Sequence, residues 1–171
     1  MYQKTHRIKK ALIIALTVDV ILLFILFLCS LFRGSPVERT VLPVIFVIVL
    51  IILLESMFRK VLTGDQGILI RKFFREKELL WEDITQAGIV ALRKRVYLLL
   101  TTVKGFHILT NAFEEFPGLL REITLHLDQE KVDEEVRSQI EKPTKKNSDV
   151  VSAWLGAAVL IVIIVLKVMP H

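Results

Sequence analysis

Apolar residues concentrate in three long blocks, and a polar region separates the second block from the third. The blocks cover residues 11–32, 41–57 and 150–168. An α-helix crosses the roughly 30 Å core of a bilayer with about 20 apolar residues. The pattern therefore predicts three transmembrane helices, of which the first two form a hairpin around an external loop at residues 33–40.

A cleaved signal peptide is the alternative interpretation of the first block. Residues 11–32 exceed the length of a usual apolar signal region, contain Asp19, and are not followed by a clear cleavage site. We interpret the block as a retained membrane helix.

In residues 58–149 the apolar residues form shorter runs. Six short runs rich in β-branched and aromatic residues are separated by turn residues, which predicts antiparallel strands. These runs lie at residues 60–63, 68–74, 78–81, 84–92, 96–102 and 106–110. Apolar residues spaced 4, 3 and 4 apart then predict an amphipathic helix, with Pro117 in its first turn. The stripe consists of Phe116, Leu120, Ile123 and Leu127.

The predicted fold class is a membrane α+β protein. Residues 58–128 form a small antiparallel sheet or barrel, which the amphipathic helix plugs. A weaker stripe at Val132, Val136 and Ile140 predicts that helix continues or re-forms within residues 129–149, ending before Pro143 and leaving a linker to the third membrane helix.

The distribution of charge mainly predicts how the chain is oriented in the membrane. The chain has a net charge of +5 and a pI of about 9.4, but residues 58–149 hold 16 basic and 15 acidic residues. The excess positive charge therefore flanks the membrane helices, which argues against a nucleic-acid partner. Because Lys and Arg accumulate on the cytoplasmic side, we expect residues 1–10 and the polar domain to be cytoplasmic. The end of the third helix is then external, in a multi-pass protein of the cell membrane.

Three segments of the polar domain resemble a known family. They are Leu62-Thr63-Gly64-Asp65-Gln66-Gly67-Ile68, Leu80-Trp81-Glu82-Asp83-Ile84, and residues 97–101 with the helix at 113–127. Together they are similar to the bacterial pleckstrin-homology-like (PH-like) domain of small membrane proteins, in which the domain follows a transmembrane hairpin. The resemblance implies the fold. It does not carry over phosphoinositide binding, because the loop at residues 64–67, taken to join the first two strands, has an acid and no base.

The sequence contains no recognisable catalytic set. The four histidines, His6, His107, His126 and His171, are far apart and lack metal-ligand spacing. The single cysteine, Cys29, excludes a disulfide within the chain. We therefore expect neither an enzyme nor a bound cofactor or metal.

Two groups of residues in the membrane blocks are candidates for function. Asp19 and Glu55 form a possible intramembrane polar site, since a carboxylate inside a bilayer is costly and usually faces protein or water. Small residues spaced four apart form a possible helix-packing face, either toward a partner or within the same chain. This face consists of Ser152, Ala153, Gly156 and Ala157.

Two basic clusters in the domain are candidates for contact with anionic lipids. One is Arg93-Lys94-Arg95 at a predicted hairpin tip, and the other is Arg71-Lys72 on the second predicted strand. A base near an anionic leaflet gains about 1 kcal/mol. The alternative is an ordinary solvated turn.

These observations predict a non-catalytic scaffold, anchored in a bacterial membrane, that mediates protein–protein assembly or regulation at the cytoplasmic face. Its partners are the lipid bilayer and either another protein or further copies of the chain. Two alternatives remain open: a small transporter or channel subunit that uses Asp19, and a module that binds anionic lipid.

Overall fold

A computed structural model describes residues 2–92, 95–143 and 148–169 of the chain. In chain order its elements are β1 (Tyr2–Arg7), α1 (Lys10–Arg33), α2 (Pro36–Phe58), β2 (Lys60–Gly64), β3 (Gly67–Arg71), β4 (Glu76–Leu80), β5 (Ile84–Leu92), β6 (Arg95–Thr102), β7 (Gly105–Thr110), α3 (Phe116–His126), a 3-10 turn (Gln129–Lys131), α4 (Glu134–Glu141) and α5 (Ser148–Val168). They form two compact units. The sheet unit combines Met1–Lys9 with Phe58–Lys146, and the helical unit combines Lys10–Met57 with Asn147–His171.

The helical unit contains three helices that are long and apolar enough to cross a membrane, as the sequence predicts. α2 begins at Pro36, five residues before the predicted start. The reason is local: the backbone N–H of Glu38 donates to Ser35 Oγ at 3.4 Å, and Pro36 suits a first helical position. The polar residues at the start of α2 therefore extend the helix beyond its apolar block.

α1 and α5 pack along each other. The residues that α1 buries recur at spacings of 4, 4, 3 and 4, which places them on one helical face. They are Ala15, Asp19, Leu23, Leu26 and Ser30. α5 contributes the buried Ala157, and an ion pair from Lys167 joins it to Glu38 of α2.

The first sheet has the strand order β1-β2-β3-β4, with every neighbouring pair antiparallel. Strands β2, β3 and β4 correspond to predicted runs, but β1 lies where the sequence analysis predicts only a basic cytoplasmic flank. Lys4 of β1 also forms an ion pair with Glu122 of α3. Beyond its end, Ile8 bridges to Phe113, and the N–H of Glu114 donates to Arg7 O at 2.8 Å.

The second sheet has the order β5-β6-β7, again antiparallel, and its three strands match the last three predicted runs. The chain after α3 covers the β5 edge. Val132 forms a parallel bridge with Ala87, the N–H of Asp133 donates to Ala87 O at 3.0 Å, and Gln86 Nε2 donates to Asp133 Oδ1 at 3.0 Å. The predicted re-formed helix is α4, which ends before Pro143 as expected.

The core of the sheet unit lies between the two sheets and the helices α3 and α4. α3 buries one face, as its apolar spacing predicts, and α4 adds Val136. The largest fully buried side chains of this unit are Val61, Ile68, Ile84, Val96, Leu98, Leu100, Leu109, Phe113, Leu119, Leu120, Ile123 and Val136. Trp81 closes this core from the β4–β5 turn, where its Nε1 donates to Gly64 O at 2.9 Å and its ring stacks on His126.

β3 is shorter than its predicted run. It ends at Arg71, and residues 72–75 form a turn in which the N–H of Lys72 donates to Arg75 O at 2.8 Å. Phe73 and Phe74, predicted as strand residues, therefore lie in a loop. Phe74 is 87% exposed there.

Candidate functional site

The four sheet edges differ in how they are protected. Edge strands offer unpaired backbone groups to other chains and are usually blunted by charges or covered. β1 and β4 carry charged residues, and the β5 edge is covered by Val132 and Asp133. β7, with the sequence GFHILT, has no charged residue. In the described chain, it makes no backbone hydrogen bond to any strand other than β6.

The orientation of the β7 backbone follows from one hydrogen bond. The N–H of Asn111 donates to Val96 O at 3.0 Å, in line with the β6–β7 register. Hydrogen-bonded pairs alternate along an antiparallel ladder. Leu109 and His107 therefore direct their backbone groups toward β6, whereas Phe106 and Ile108 direct theirs toward the open edge.

The outer face of the second sheet is mostly apolar, and the Asp133 side chain lies over it at Gly88. On β6 the fully buried Leu98 and Leu100 point inward, so that Tyr97 and Leu99 point outward. The register places Val90 and Thr110 beside Tyr97, with Gly88 and Ile108 beside Leu99. Ile108 is 45% exposed and Phe106 is 68% exposed. Two charged residues border this face: Arg95 at the hairpin end of β6, and Asp133 beside Gly88.

This surface, the β7 edge with the outward Phe106 and Ile108, is the strongest candidate site for binding. The sequence analysis did not single out these two residues. Their signal was present, because Phe106, Ile108 and Thr110 alternate with His107 and Leu109 across a strand without charges. The sequence alone does not reveal that β7 is an edge strand.

The basic residues predicted to contact lipid do not form one cluster in the described chain. Arg71 ends β3 and pairs with Glu76, and Lys72 follows in the turn, whereas Arg95 begins β6. Arg93 and Lys94 lie outside the described residues. A lipid contact at Arg71 and Lys72 stays a prediction.

The two predicted intramembrane carboxylates are separate. Asp19 is 8% exposed and faces α5, with its Oδ1 3.7 Å from the position that a Cβ on Gly156 would take. Glu55 is exposed on α2. Among the described residues no hydrogen bond or ion pair joins the two, and Asp19 Oδ1 makes no hydrogen bond. The geometry thus places Asp19 in a helix-packing contact.

The four small residues predicted to form one packing face differ in burial in the structure. Ala157 is buried and Ala153 and Gly156 are half-buried on α5, which packs along α1 of the same chain. Ser152 is exposed on another side of α5. The carboxylate of Asp19 packs against α5 at Gly156, at a distance where an added Cβ would make ordinary van der Waals contact.

Two histidines of the sheet unit have altered acidity. Burial lowers the pKa of His6 on β1 below its ordinary value, and the charges of Glu115 and Glu122 offset part of this. Burial also lowers the pKa of His107 on β7, and the cations Lys77 and Lys72 add to that effect. Both positions thus favour the neutral imidazole.

A small cleft of about 180 Å³ lies beside the start of α3, lined in part by Lys9, Phe113, Pro117 and Gln139. Ligand pockets usually enclose about 300–1,000 Å³, so this cleft is too small to recommend it as a ligand site. Within the described ranges, no group of three or more His, Cys, Asp or Glu residues is arranged to hold a metal ion.

No protein-family model matches the chain, and neither does a curated protein or a solved structure.

Proposed function

We propose that the protein is a non-catalytic module, anchored in a bacterial cell membrane, that recruits a partner protein at the cytoplasmic face. The partner supplies an extended strand that adds to the open edge of β7. The observation that carries this proposal is the uncharged, uncovered edge of β7 with Phe106 and Ile108 beside it.

The chemistry of the edge defines the partner. A strand that joins β7 pairs with the backbone groups of Phe106 and Ile108, and main-chain hydrogen bonds then supply affinity. Its side chains on the outer face lie next to Phe106 and Ile108, which are apolar. The partner segment is therefore extended and apolar at every second position.

Two antiparallel sheets closed by one amphipathic helix support the PH-like fold within this proposal. In it, the first strand comes before the α1–α2 hairpin. The connection between strands one and two is then the hairpin itself, and the turn at residues 64–67 joins strands two and three. The sequence analysis took residues 64–67 as the loop between strands one and two. Because this turn joins strands two and three instead, its lack of bases gives no information about phosphoinositide binding at the first loop.

The pairing of β1 with β2 supports the proposed topology. A sheet cannot form across a bilayer, so β1 and β2 must lie on the same side of the membrane. A hairpin of two spans returns the chain to the side where it started. The basic flanks favour the cytoplasm as that side, and in this proposal α5 carries the chain to the outside.

Site-specific photocrosslinking tests this proposal in the full-length chain in intact membranes. A photoreactive phenylalanine analogue replaces Phe106 or Ile108, and the matched control replaces Leu125 of α3, which is also apolar and 73% exposed. We expect one discrete protein adduct from the two β7 positions and none from Leu125. The crosslinked peptide identifies the strand of the partner.

A backbone variant makes the test specific for strand addition. Ile108→Pro removes an N–H that points toward the open edge, while the ladder to β6 is kept, and edge strands tolerate such a proline. We expect the adduct from position 106 to disappear in this variant while thermal unfolding stays cooperative. Equal crosslinking from Leu125, an adduct consisting of two copies of this chain, or an adduct that survives Ile108→Pro would overturn the proposal.

A further inference from the structure

Three cations stand side by side at one end of the first sheet. Arg7 on β1 is directly opposite Lys60 on β2, and Lys60 is directly opposite Arg71 on β3. Directly opposite residues of an antiparallel pair share a face, with Cβ atoms about 5 Å apart. Arg7, Lys60 and Arg71 therefore form a basic row across three strands.

The positive charge of the basic row is only partly neutralised by carboxylates of the protein. Arg71 pairs with Glu76, but in the described chain Arg7 and Lys60 make no ion pair with a carboxylate. Like charges placed directly opposite each other destabilise a sheet. An external anion would relieve this repulsion.

The basic row is tied to the membrane helices through the backbone. Arg7 lies three residues before α1, and Lys60 lies two residues after the end of α2 at Phe58. An extended chain spans at most about 3.6 Å per residue. Arg7 and Lys60 therefore each stay within roughly 10 Å of the helix end that follows or precedes them, and in the proposed topology these two ends lie at the membrane surface.

An aromatic cluster lies at the same end of the sheet. The ring centroid of Phe73 is 4.9 Å from that of Phe58 and 4.2 Å from that of Phe74. Phe58 is the last residue of α2, and the loop that carries Phe73 and Phe74 is flanked by the bases Lys72 and Arg75. Exposed aromatic rings between bases suit the boundary between lipid headgroups and acyl chains.

We propose that the basic row and the Phe73–Phe74 loop form a binding site for anionic phospholipid headgroups in the leaflet that α1 and α2 enter. The row binds the phosphates, and Phe74 inserts among the headgroups. This inference rests on the proposed membrane placement and is independent of the β7 partner. It fixes the sheet unit against the bilayer through a surface different from the β7 edge.

Tryptophan fluorescence of the full-length chain in nanodiscs tests this site. Phe74→Trp places a reporter in the loop, and subtraction of the parent spectrum removes the emission of Trp81 and Trp154. Nanodiscs contain phosphatidylcholine alone or with phosphatidylglycerol, and brominated lipids act as quenchers. We expect a shift to shorter wavelength and strong quenching that depend on phosphatidylglycerol and weaken at high salt.

A charge variant connects the signal to the basic row. Arg7→Gln, Lys60→Gln and Arg71→Gln together should lower the ratio of docked to free loop on the order of 100-fold, since each base near an anionic leaflet contributes about fivefold. The matched control changes three bases of the same domain outside the row: Lys104→Gln, Arg121→Gln and Arg137→Gln. It should leave the signal unchanged.

Two outcomes would overturn the lipid site. One is equal quenching with and without phosphatidylglycerol, and the other is an equal loss of signal in the control variant. Thermal unfolding of the Gln variants shows whether the fold is kept.

Discussion

The edge strands of the two sheets differ in whether they discourage or permit pairing with another strand. β4 closes the first sheet with the sequence EKELL, in which only Leu79 is buried, and Lys77 shares the inner face with Leu79. An inward-pointing charge at an edge discourages any further strand from joining. β7 closes the second sheet with no charge at all. One edge is therefore protected against association, and the other is left open to it.

The largest effect is expected from Gly67→Ala, which breaks the protected edge. A Cβ on Gly67 would come within 2.1 Å of Leu79 O, so that β3 and β4 must separate. We expect a loss of about 2–3 kcal/mol in the free energy of unfolding, at the upper end for overpacking. Chemical denaturation in detergent measures it.

The comparison variant for Gly67→Ala is Gly105→Ala in the turn before β7. Gly105 has a φ of +127°, but no atom lies within 4 Å of its added Cβ. We expect about 1–2 kcal/mol from backbone strain alone. A larger loss at Gly105 than at Gly67 would show that β4 pairs less tightly than the structure indicates.

A second prediction concerns the charge that protects the β4 edge. Lys77→Ile removes the inward charge of β4 and should strengthen self-association of the chain roughly tenfold, the equivalent of about 1.4 kcal/mol. Sedimentation over a range of detergent-solubilised protein concentrations measures this. Lys104→Ile, in the exposed turn between β6 and β7, is the control and should have no such effect. Unchanged association in both variants would show that Lys77 does not protect the edge.

The smallest effect concerns acid stability. Since the pKa values of His6 and His107 are lowered in the folded state, the unfolded chain binds more protons as the pH falls below about 6.5. Stability is therefore fully present above that pH and decreases as the pH falls toward the folded pKa values. Melting temperatures between pH 7.5 and 5 test this.

Single substitutions assign the acid sensitivity to a sheet. His6→Gln and His107→Gln should each flatten the pH dependence. Lys77→Ile should flatten it partly, because Lys77 lowers the pKa of His107. A pH profile that none of the three changes would mean that neither histidine controls the effect.

Elements with strong local signals could be predicted from the sequence. The three apolar blocks gave the long helices, and the turn residues gave six of the seven described strands. β1 could not be predicted, because its pattern is dominated by Lys4 and Arg7 and its partner strand lies beyond two helices. Among the side chains described here, from Lys4 onward, the buried ones are His6 on this strand and Ile8 after it, too few to define an alternation.

The sites depended on information that no local pattern contains. The basic row needs the registers β1–β2 and β2–β3, and the sequence alone reveals neither. Arg7, Lys60 and Arg71 therefore looked like parts of unrelated basic segments. Likewise, Phe106 and Ile108 become a candidate surface only once β7 is known to be an edge.

The hairpin between β1 and β2 also sets an order of events during synthesis. β1 leaves the ribosome first, but its partner β2 is made only after both long helices. At about 5–20 residues per second, β1 waits several seconds before it can pair. In the proposed topology, the first sheet can be completed only after the hairpin has crossed the membrane twice and returned to its starting side. A folded first sheet would therefore require that insertion of the hairpin is complete.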